Sequence, residues 1–562
     1  MYQFLLILPI LFPILSGLIL LFLPGFTNYK KINWYVGVSL VLTAVFVIFA
    51  LIGGGEQVVV FSLNEYLPLM LKLDSLGKFF VSIVTIIWLC CGFFAFSYME
   101  HENHPRRFFA FYLMTYGVLV GLDFAGNLIT MYMFYEFMTL VSFSLVVHNQ
   151  SREAIMSGLK YLLYSFFGAY MSLFGIYFVI KYAETLTFTP GGVFSQEVLV
   201  SHGQLFLIVI MLMIIGFGVK AGMFPFHAWL TAAHPVAPAP ASAALSSVIV
   251  KSGVLALIRV VYYIFGGDFI KGTWVQTVWI CLTLATVFMG SMLAYREKVL
   301  KKRLAYSTVS QISYILFGLA MVNSTSFTGS LLHVAAHACI KCTLFLCAGA
   351  IIYKTGCTNV YELKGIGKRM PVTMWCYTFA SLALIGIPPT GGFISKWYLA
   401  VGSLGTGMKV FAVLGPVVLL ISALLTAGYL LPITIDGFLP GEEYEEKERC
   451  EAPGGMVIPI VVLTILGVGI GVFAEPLVDF SKEMAYVVEV VARGRQMSIY
   501  SSSVGRSRYV IHVAVLVPCS KIISPTYLSI SSSAHARKPQ RRPATPTFPC
   551  MHPERNILRN ST

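Results

Sequence analysis

The sequence predicts an all-α protein that crosses a membrane about fourteen times, and three observations lead to this prediction. Hydrophobic residues make up 57% of the 562 residues and charged residues only 11%, whereas an aqueous domain carries about 25% charged residues. Apolar runs long enough to span a bilayer follow one another along most of the chain. Two of these runs are interrupted by proline and lysine, a pattern typical of membrane transporters.

The predicted spans are runs of roughly 20 mostly apolar residues separated by polar breaks. Their ranges are 3–24, 33–53, 76–99, 108–122, 127–147, 153–181, 203–232, 239–264, 273–294, 300–322, 327–354, 372–400, 408–434 and 455–475. The first run has no basic segment before it and no small-residue cleavage site, so it is predicted as a span and not as a removed signal. Lysine and arginine concentrate in loops after odd-numbered spans, as at Arg106, Arg296 and Lys368. These loops are therefore predicted to be cytoplasmic, with both termini outside.

The chain divides into six predicted parts. Residues 1–99 hold spans 1 to 3, residues 100–265 and 266–435 form two repeats, and residues 436–475 hold an acidic cytoplasmic loop and span 14. Each repeat has five spans (4–8 and 9–13), and an odd number of spans makes consecutive copies insert in opposite orientations. A surface helix is predicted for 476–493. The basic Ser/Arg/Pro-rich tail, 494–562, is predicted to be disordered, and is either a genuine extension or a frame-shifted end.

The interruptions fall at corresponding places, in spans 7 and 12. In span 7, Pro225 should break the helix shortly after Lys220. In span 12, Pro388 and Pro389 precede Lys396 in the stretch GIPPTGGFISK. Broken helices at membrane depth are tolerated where their backbone is buried in protein or lines a wet cavity. Each break is therefore predicted to belong to a half-channel.

Span 5 carries Glu136, a carboxylate deep in an apolar segment. Desolvation would keep it neutral unless a cation is near, and Lys220 is the natural partner. A purely structural salt bridge is the alternative. Lys160 either shares Glu136 or extends to the cytoplasmic surface. A lysine at hydrocarbon depth costs about 2.5 to 3.5 kcal/mol, which favours a functional role for Lys220.

Span 8 carries Lys251 in apolar surroundings, where a relay role is predicted, while Arg259 is expected to reach the outer head groups. Span 11 carries His333, His337 and Lys341 at helical spacing on one stripe. Histidine both accepts and donates protons near neutral pH, so this stripe is predicted to pass protons. Packed, hydrogen-bonded histidines are one alternative. A metal site is another, although Lys341 would repel the ion.

The predicted path runs from the cytoplasm through Lys220 with Glu136 to Lys251, then along the span-11 stripe to Lys396 and the outside. His227 and His234 flank the first break and belong either to the entrance or only to its packing.

Catalytic residues, a metal site and a cofactor site are not predicted. The sequence has no phosphate-binding loop, and the glycines of span 14 lie in a membrane helix, where small residues allow close packing. Ligands for haem or iron–sulfur clusters are not apparent. Cys339 and Cys342 form a single C-x-x-C pair, read as packing cysteines rather than as a metal or redox site. Nothing indicates nucleic-acid binding.

These residues carry a family resemblance. The span-5 Glu136, the stretch from Gly218 to Arg259, KKRLAYSTVSQISYILFGL, the His333/His337/Lys341 span and GIPPTGGFISKWYLA cover roughly residues 100–430. They resemble the antiporter-like membrane subunits of respiratory complex I, Mrp-type Na⁺/H⁺ antiporters and energy-converting hydrogenases. The resemblance implies fourteen helices with inverted repeats. It also implies that Glu136 and Lys220 form the input pair, Lys251 the bridge and Lys396 the terminal proton site.

The resemblance further implies a subunit of a multisubunit complex that moves H⁺, and in Mrp assemblies Na⁺, with other membrane subunits as partners. Chain length and GFISKWYLA favour the Mrp D-type or hydrogenase-associated subunits over a complex I subunit. A redox-driven pump and a Na⁺/H⁺ antiporter both stay open, as do the coupling ion and the direction of pumping. The rival hypotheses are a self-contained carrier of a small solute and a membrane enzyme such as a lipid-linked transferase.

Overall fold

The computed structural model describes residues 2–53, 57–62, 67–442, 444 and 447–486, and these form a bundle of helices. The helices of the first half are α1 (Tyr2–Phe22), α2 (Tyr29–Gly53), α3 (Ser75–Tyr98), α4 (Pro105–Asp123), α5 (Leu128–Val146), α6 (Arg152–Tyr182), α7 (Gln196–Ser201), α8 (Gly203–Lys220), α9 (Ala228–Val236), α10 (Ala239–Ala244) and α11 (Lys251–Ile258). Those of the second half are α12 (Gly267–Ile270), α13 (Trp274–Arg296), α14 (Leu300–Ala320), α15 (Ser324–Thr355), α16 (Ile366–Arg369), α17 (Pro371–Ile385), α18 (Gly391–Leu404), α19 (Lys409–Phe438) and α20 (Gly454–Val472). Short 3₁₀ turns follow α3 and precede α16.

The predicted all-α membrane fold is confirmed. Within the described residues, eleven helices are long and apolar enough to cross a membrane. The three further predicted spans fall on α4, on the more polar α14, and on the pair α17–α18. The total of fourteen and the inverted repeats stay predictions. The predicted surface helix is helical over 475–486, and its remaining residues, like the tail 494–562, lie outside the described part of the chain.

A β-hairpin between α2 and α3 was not predicted. Strands β1 (Val58–Ser62) and β2 (Pro68–Leu71) pair antiparallel with a register irregularity. The Leu71–Ala125 bridge attaches the hairpin to the α4–α5 connection, and Asn127 adds a hydrogen bond to the Pro68 carbonyl at 2.6 Å. β-branched and aromatic residues in β1 favour an extended backbone. The hairpin marks one end of the bundle, called here the hairpin end.

Two elements form the centre of the bundle. In the most apolar 18 residues of the continuous helical segment Ala239–Phe265, all residues are buried. The corresponding share of buried residues is 94% in α15 and only 28% in α19. α19 therefore presents apolar side chains to the surroundings, as expected for a lipid-facing helix. The two central elements carry Lys251 and the histidine stripe.

The segment Ala239–Phe265 is not a regular α-helix. Wider π-helical turns, Leu245–Ile249 and Arg259–Phe265, lie on either side of α11. π-turns are uncommon and often occur at functional sites. Lys251 is the first residue of α11 and follows directly on one of them.

The loops after α3 and α5 are joined through His148, at the end opposite the hairpin. A ring nitrogen of His148 lies 2.9 Å from the Asn103 carbonyl oxygen, and Arg107 donates to the His148 carbonyl at 2.5 Å. The imidazole is 2% exposed and packs edge-on against Phe108. Burial lowers the pKa of His148 to about 4.

Because His148 has a pKa of about 4 in the folded chain and about 6.5 when unfolded, the native state binds fewer protons between these values. Its contribution to stability is fully present above pH ~6.5 and is lost as the pH falls towards ~4. His148→Phe keeps a ring against Phe108 and removes the titration, so thermal unfolding of the detergent-solubilised protein is expected to depend less on pH in this window. Identical pH dependence in both proteins would contradict the prediction.

Candidate functional site

The first helix break separates α8 from α9. α8 ends at Lys220, and the chain passes through turns at 221–227 before α9 begins. Pro225 lies in this break, as predicted. The broken ends are held by hydrogen bonds, from the Trp229 indole to the Val219 carbonyl (2.8 Å) and from the Phe224 amide to Thr286 (3.0 Å). Lys220 therefore occupies the C-terminal end of a buried helix, where the helix dipole favours a cation.

The Lys220 ammonium is enclosed by hydroxyl groups. It donates to Thr139 at 2.7 Å, Tyr161 at 2.9 Å and Ser165 at 3.2 Å, and it is fully buried. The nitrogen also lies 4.5 Å from the centre of the Tyr161 ring. Three acceptors match the three donors of an ammonium group. These hydroxyl-bearing residues were not predicted from the sequence.

Glu136 and Lys220 interact electrostatically but are not in contact. Among the described residues, no ion pair within 4.0 Å joins them, and Glu136 Oε1 has no hydrogen-bond partner. The direct partner of Lys220 on α5 is Thr139, three residues after Glu136, where Glu136 itself was expected. Transfer of a proton between the two groups would need an intervening hydroxyl or water.

The three predicted modulators lie in different environments. Lys160 is on the exposed face of α6 and is close enough to His227 to interact with it electrostatically. His227 is partly buried and stacks on Phe224. His234 is fully buried against Phe345, and both of its ring nitrogens are without hydrogen-bond partners in the described part of the chain.

Lys251 lies at the centre of the bundle and contacts the histidine stripe. Its nitrogen donates to the Ser247 carbonyl at 2.5 Å and lies 3.0 Å from His337 Nδ1. The side chain is 2% exposed. Lys251 and His337 are therefore close enough to exchange a proton directly.

The histidines continue this contact towards the second break. The rings of His337 and His333 have centroids 5.8 Å apart, and His333 Nδ1 lies 2.9 Å from the Ser395 hydroxyl. Ser395 precedes Lys396 in α18. Nε2 of both histidines has no hydrogen-bond partner among the described residues, which leaves these atoms available to water.

Lys396 lies at the second break, between α17 and α18. Its ammonium donates to the carbonyls of Leu384 (2.6 Å) and Ile385 (3.0 Å) and lies 5.0 Å from the centre of the Tyr314 ring. The last carbonyls of a helix have no intrahelical partner, so the cation satisfies those at the end of α17. Pro388 and Pro389 lie in the turn between the two helices, as predicted.

Lys341 is not positioned between the histidines and Lys396. It donates to the Leu304 carbonyl at 3.0 Å and makes a short hydrogen bond to Ser307, both on α14. The contacts described above follow the order Lys251, His337, His333, Ser395. Along α15, His333 lies nearest to the second break, His337 lies one turn further away, and Lys341 lies one turn beyond His337. Lys341 is therefore further from Lys396 than either histidine is.

Two stretches of the predicted path differ in continuity. Hydrogen-bond and ring contacts connect Lys251 to Ser395 through His337 and His333. Within the described residues, no hydrogen bond joins Lys220 to Lys251. The helices that carry them, α8 and α11, nevertheless pack closely, since a Cβ at Gly253 would lie 2.8 Å from the Phe217 carbonyl oxygen. Water would have to complete this connection.

A buried ion pair near the hairpin end was not predicted from the sequence. Arg259 is 2% exposed and donates to both carboxylate oxygens of Asp74, at 2.5 and 2.7 Å, so the prediction that it reaches the head groups is wrong. Asp123, the last residue of α4, is 3% exposed, and its Oδ2 has no hydrogen-bond partner in the described part of the chain. An arginine in an otherwise apolar run was the available signal, because a buried guanidinium needs a carboxylate.

Within the described residues, no group of three or more histidine, cysteine, aspartate or glutamate side chains could hold a metal ion. Cys342 lies against Cys91 of α3, with 3.3 Å between the sulfur atoms, and both are buried and free.

Comparison with known proteins identifies relatives over most of the chain. The family model described as "NADH:quinone oxidoreductase/Mrp antiporter, TM" matches residues 125–422, more than half of the chain, and that of the "NADH-Ubiquinone oxidoreductase (complex I), chain 5 N-terminus" matches residues 63–109. The N-type subunit of the NADH-quinone oxidoreductase of Desulforudis audaxviator is 32% identical over 425 residues, covering 73% of this chain and 83% of the relative.

Two further matches extend this similarity. The D-type subunit of the Na⁺/H⁺ antiporter of Alkalihalophilus pseudofirmus is 27% identical over 484 residues, covering 86% of this chain and 96% of the relative. Among solved structures, a chain of the archaeal membrane-bound sulfane sulfur reductase has a TM-score of 0.76 at 20% identity, covering 86% of this chain and 97% of that chain. At this identity the structural match bears on the fold alone.

Proposed function

The chain belongs to the NADH:quinone oxidoreductase/Mrp antiporter family of membrane subunits, and from this premise we propose that it translocates protons as one subunit of a multisubunit membrane complex. Buried lysine and histidine side chains carry the protons at mid-membrane. In this role the complex either pumps protons or exchanges Na⁺ for H⁺.

One observation supports this function most strongly, namely the contact series Lys251–His337–His333–Ser395 along the two most buried elements of the bundle. Titratable groups at membrane depth are costly and mark ion pathways. Here they are adjacent, shielded from lipid, and connect to a helix break that carries Lys396. A carrier of a small solute would instead need a roomy site at the midplane.

The proposed route begins at Glu136 and Lys220, passes through water to Lys251, and follows His337 and His333 to Lys396. Lys341 and His234 lie beside this route and set the local charge. We place the protein in the cell membrane with both termini and the hairpin end outside, because the basic loops follow the odd-numbered spans.

Other membrane subunits are the proposed partners, and the chain itself is proposed to hold no cofactor. In a redox-driven complex, partner subunits would supply flavin and iron–sulfur groups, and in an Mrp-type antiporter they would not. The stretch GFISKWYLA favours a D-type or hydrogenase-associated subunit.

Purification of the chain from its native membrane tests this proposal. We expect it to copurify with other membrane subunits, and the reconstituted complex to generate a pH gradient in vesicles. Flavin and iron–sulfur absorbance would identify redox drive, whereas a requirement for a Na⁺ gradient without such absorbance would identify antiport. A chain that purifies alone and transports a solute without moving protons would contradict the proposal.

A further inference from the structure

The hydroxyl groups around Lys220 form a closed set, called here the hydroxyl cage (Thr139, Tyr161 and Ser165). Thr139 belongs to α5 and the other two belong to α6, and all three are buried. The ammonium donates to them at 2.7, 2.9 and 3.2 Å, so each of its three N–H groups has an acceptor. The cage therefore takes the place of water around the charged form of Lys220.

Tyr161 is the central group of the cage. Its hydroxyl accepts from Lys220 at 2.9 Å and lies 2.8 Å from the Ser142 hydroxyl. Ser142 donates its own hydrogen to the Met138 carbonyl at 2.6 Å. Because a hydroxyl has a single hydrogen, Tyr161 donates its hydrogen to Ser142 and presents only lone pairs to Lys220. The ring of Tyr161 packs on Trp229, with centroids 4.8 Å apart, which holds this orientation.

Thr139 is oriented in the same way. It donates its hydrogen to the Tyr135 carbonyl at 3.2 Å, one turn earlier on α5, so its oxygen also meets Lys220 as an acceptor. Two of the three cage hydroxyls are thus fixed as acceptors before the proton arrives. An ammonium nitrogen needs acceptors alone, whereas an amine nitrogen also needs a donor. The cage therefore matches the charged form of Lys220 and not the neutral one.

Other groups near Lys220 act on the same charge from further away. The rings of Tyr135 and Trp229 have their centres 5.6 and 5.9 Å from its nitrogen. Glu136 attracts the ammonium electrostatically, without a hydrogen bond or ion pair to it in the described part of the chain. Lys251, on the adjoining α11, is likewise not hydrogen-bonded to Lys220 there. Direct contact with the charge is thus made by neutral hydroxyls.

Resting on the proposed function, we propose that Thr139, Tyr161 and Ser165 are positioning residues that keep the transported proton on Lys220 until the next group of the route takes it. The hydroxyls themselves gain and lose no net proton. They stabilise the ammonium relative to the amine, and they do so strongly because hydrogen bonds to a charged group gain strength where water is excluded. Each hydroxyl that is removed lets Lys220 release its proton at a lower pH.

Thr139→Val tests the cage in the reconstituted complex, because valine has nearly the shape of threonine and lacks the hydroxyl. The initial rate of proton transfer is measured with a pH-sensitive dye at a series of pH values. As the pH rises, Lys220 loses its proton and the rate falls, and the midpoint of this fall is expected about one pH unit lower in the variant. At pH values below both midpoints, the rate of the variant should approach that of the wild type.

Two further variants separate the hydroxyl from the packing around it. Thr139→Ser keeps the hydroxyl and should recover most of the shift. Tyr161→Phe keeps the ring whose centre lies 4.5 Å from the Lys220 nitrogen, removes only the oxygen, and should also move the midpoint to lower pH. Tyr170→Phe is the matched control, because Tyr170 lies on the same helix and is 71% exposed, and it should keep the wild-type profile.

The same measurements can overturn the inference. A wild-type midpoint in both Thr139→Val and Tyr161→Phe would show that the cage does not hold the proton. A rate that falls equally at every pH, or an equal shift in Thr139→Ser and Thr139→Val, would assign these residues to packing alone. If Thr139→Val does not assemble, the midpoint of Tyr161→Phe decides.

Lys220→Ala separates this inference from the proposed function. If Thr139→Val and Tyr161→Phe keep the wild-type profile and Lys220→Ala does not pump, the role of the cage is wrong and the proposed function stands. If Lys220→Ala also pumps normally, the proposed route is wrong as well.

Discussion

Replacing Lys220 by alanine is expected to abolish proton transfer while the complex still assembles. The substitution removes the ammonium held among the hydroxyls of Thr139, Tyr161 and Ser165, and these neutral groups do not take up protons near neutral pH. The loss should be at least about a hundredfold, because the residue is placed directly on the route. The measurement is acidification of vesicles that contain the reconstituted complex, followed with a pH-sensitive dye.

Lys271→Ala provides the control for this experiment, because Lys271 is exposed at the end of the bundle and lies outside the route. It should pump like the wild type. Assembly of both variants is checked by copurification of the partner subunits. Normal acidification by an assembled Lys220→Ala complex would refute the assigned route.

The second large effect is expected from Gly471→Ala in α20. A Cβ at this position would overlap backbone atoms of Pro389, Thr390 and Gly391, at the second helix break. Backbone atoms cannot move aside as a flexible side chain can, so α20 or the break must shift, at a cost of about 1 to 3 kcal/mol. The shift would also displace α18, which carries Lys396, and should slow proton transfer.

Gly469→Ala is a matched control two residues away on the same helix. No atom lies within 4 Å of a Cβ at Gly469, so this substitution adds the same methyl group in open space. We expect a lower midpoint of thermal unfolding and slower pumping in Gly471→Ala, and wild-type values or slightly higher stability in Gly469→Ala. Equal effects of the two substitutions would show that α20 does not pack against the break as described.

The sequence was sufficient for the all-α membrane fold, the two breaks and the lysines at them. Apolar runs and the placement of Pro225 and Pro388 are local signals, and each has a direct physical meaning in a bilayer. The pairing of Lys251 with His337 was not readable from spacing, because it joins two helices distant in sequence. Lys251 and His337 were nevertheless both predicted as site residues, because an ionisable residue in an apolar run is conspicuous.

Other features depended on tertiary structure. The hydroxyls around Lys220 belong to residue types that also occur at ordinary helix interfaces, so nothing marked Thr139 or Ser165 in advance. Asp123 falls at the end of a predicted span and looks like a loop residue, whereas packing of α3 on α4 buries it. The placement of Lys341 away from the second break depended on the direction of α15 relative to α18.

Through its hydrogen bond to the Ser247 carbonyl, the side chain of Lys251 contacts the backbone of the π-helical turn that precedes it. In a regular α-helix the Ser247 carbonyl would accept the backbone N–H of residue 251. Next to the widened turn, this carbonyl accepts a hydrogen bond from the Lys251 side-chain ammonium. A Lys251 side chain that released a proton, as proposed, would lose one donor and the charge that strengthens its hydrogen bond to that carbonyl. Under the proposed function, the passage of a proton through Lys251 would therefore weaken and restore one hydrogen bond of the central segment.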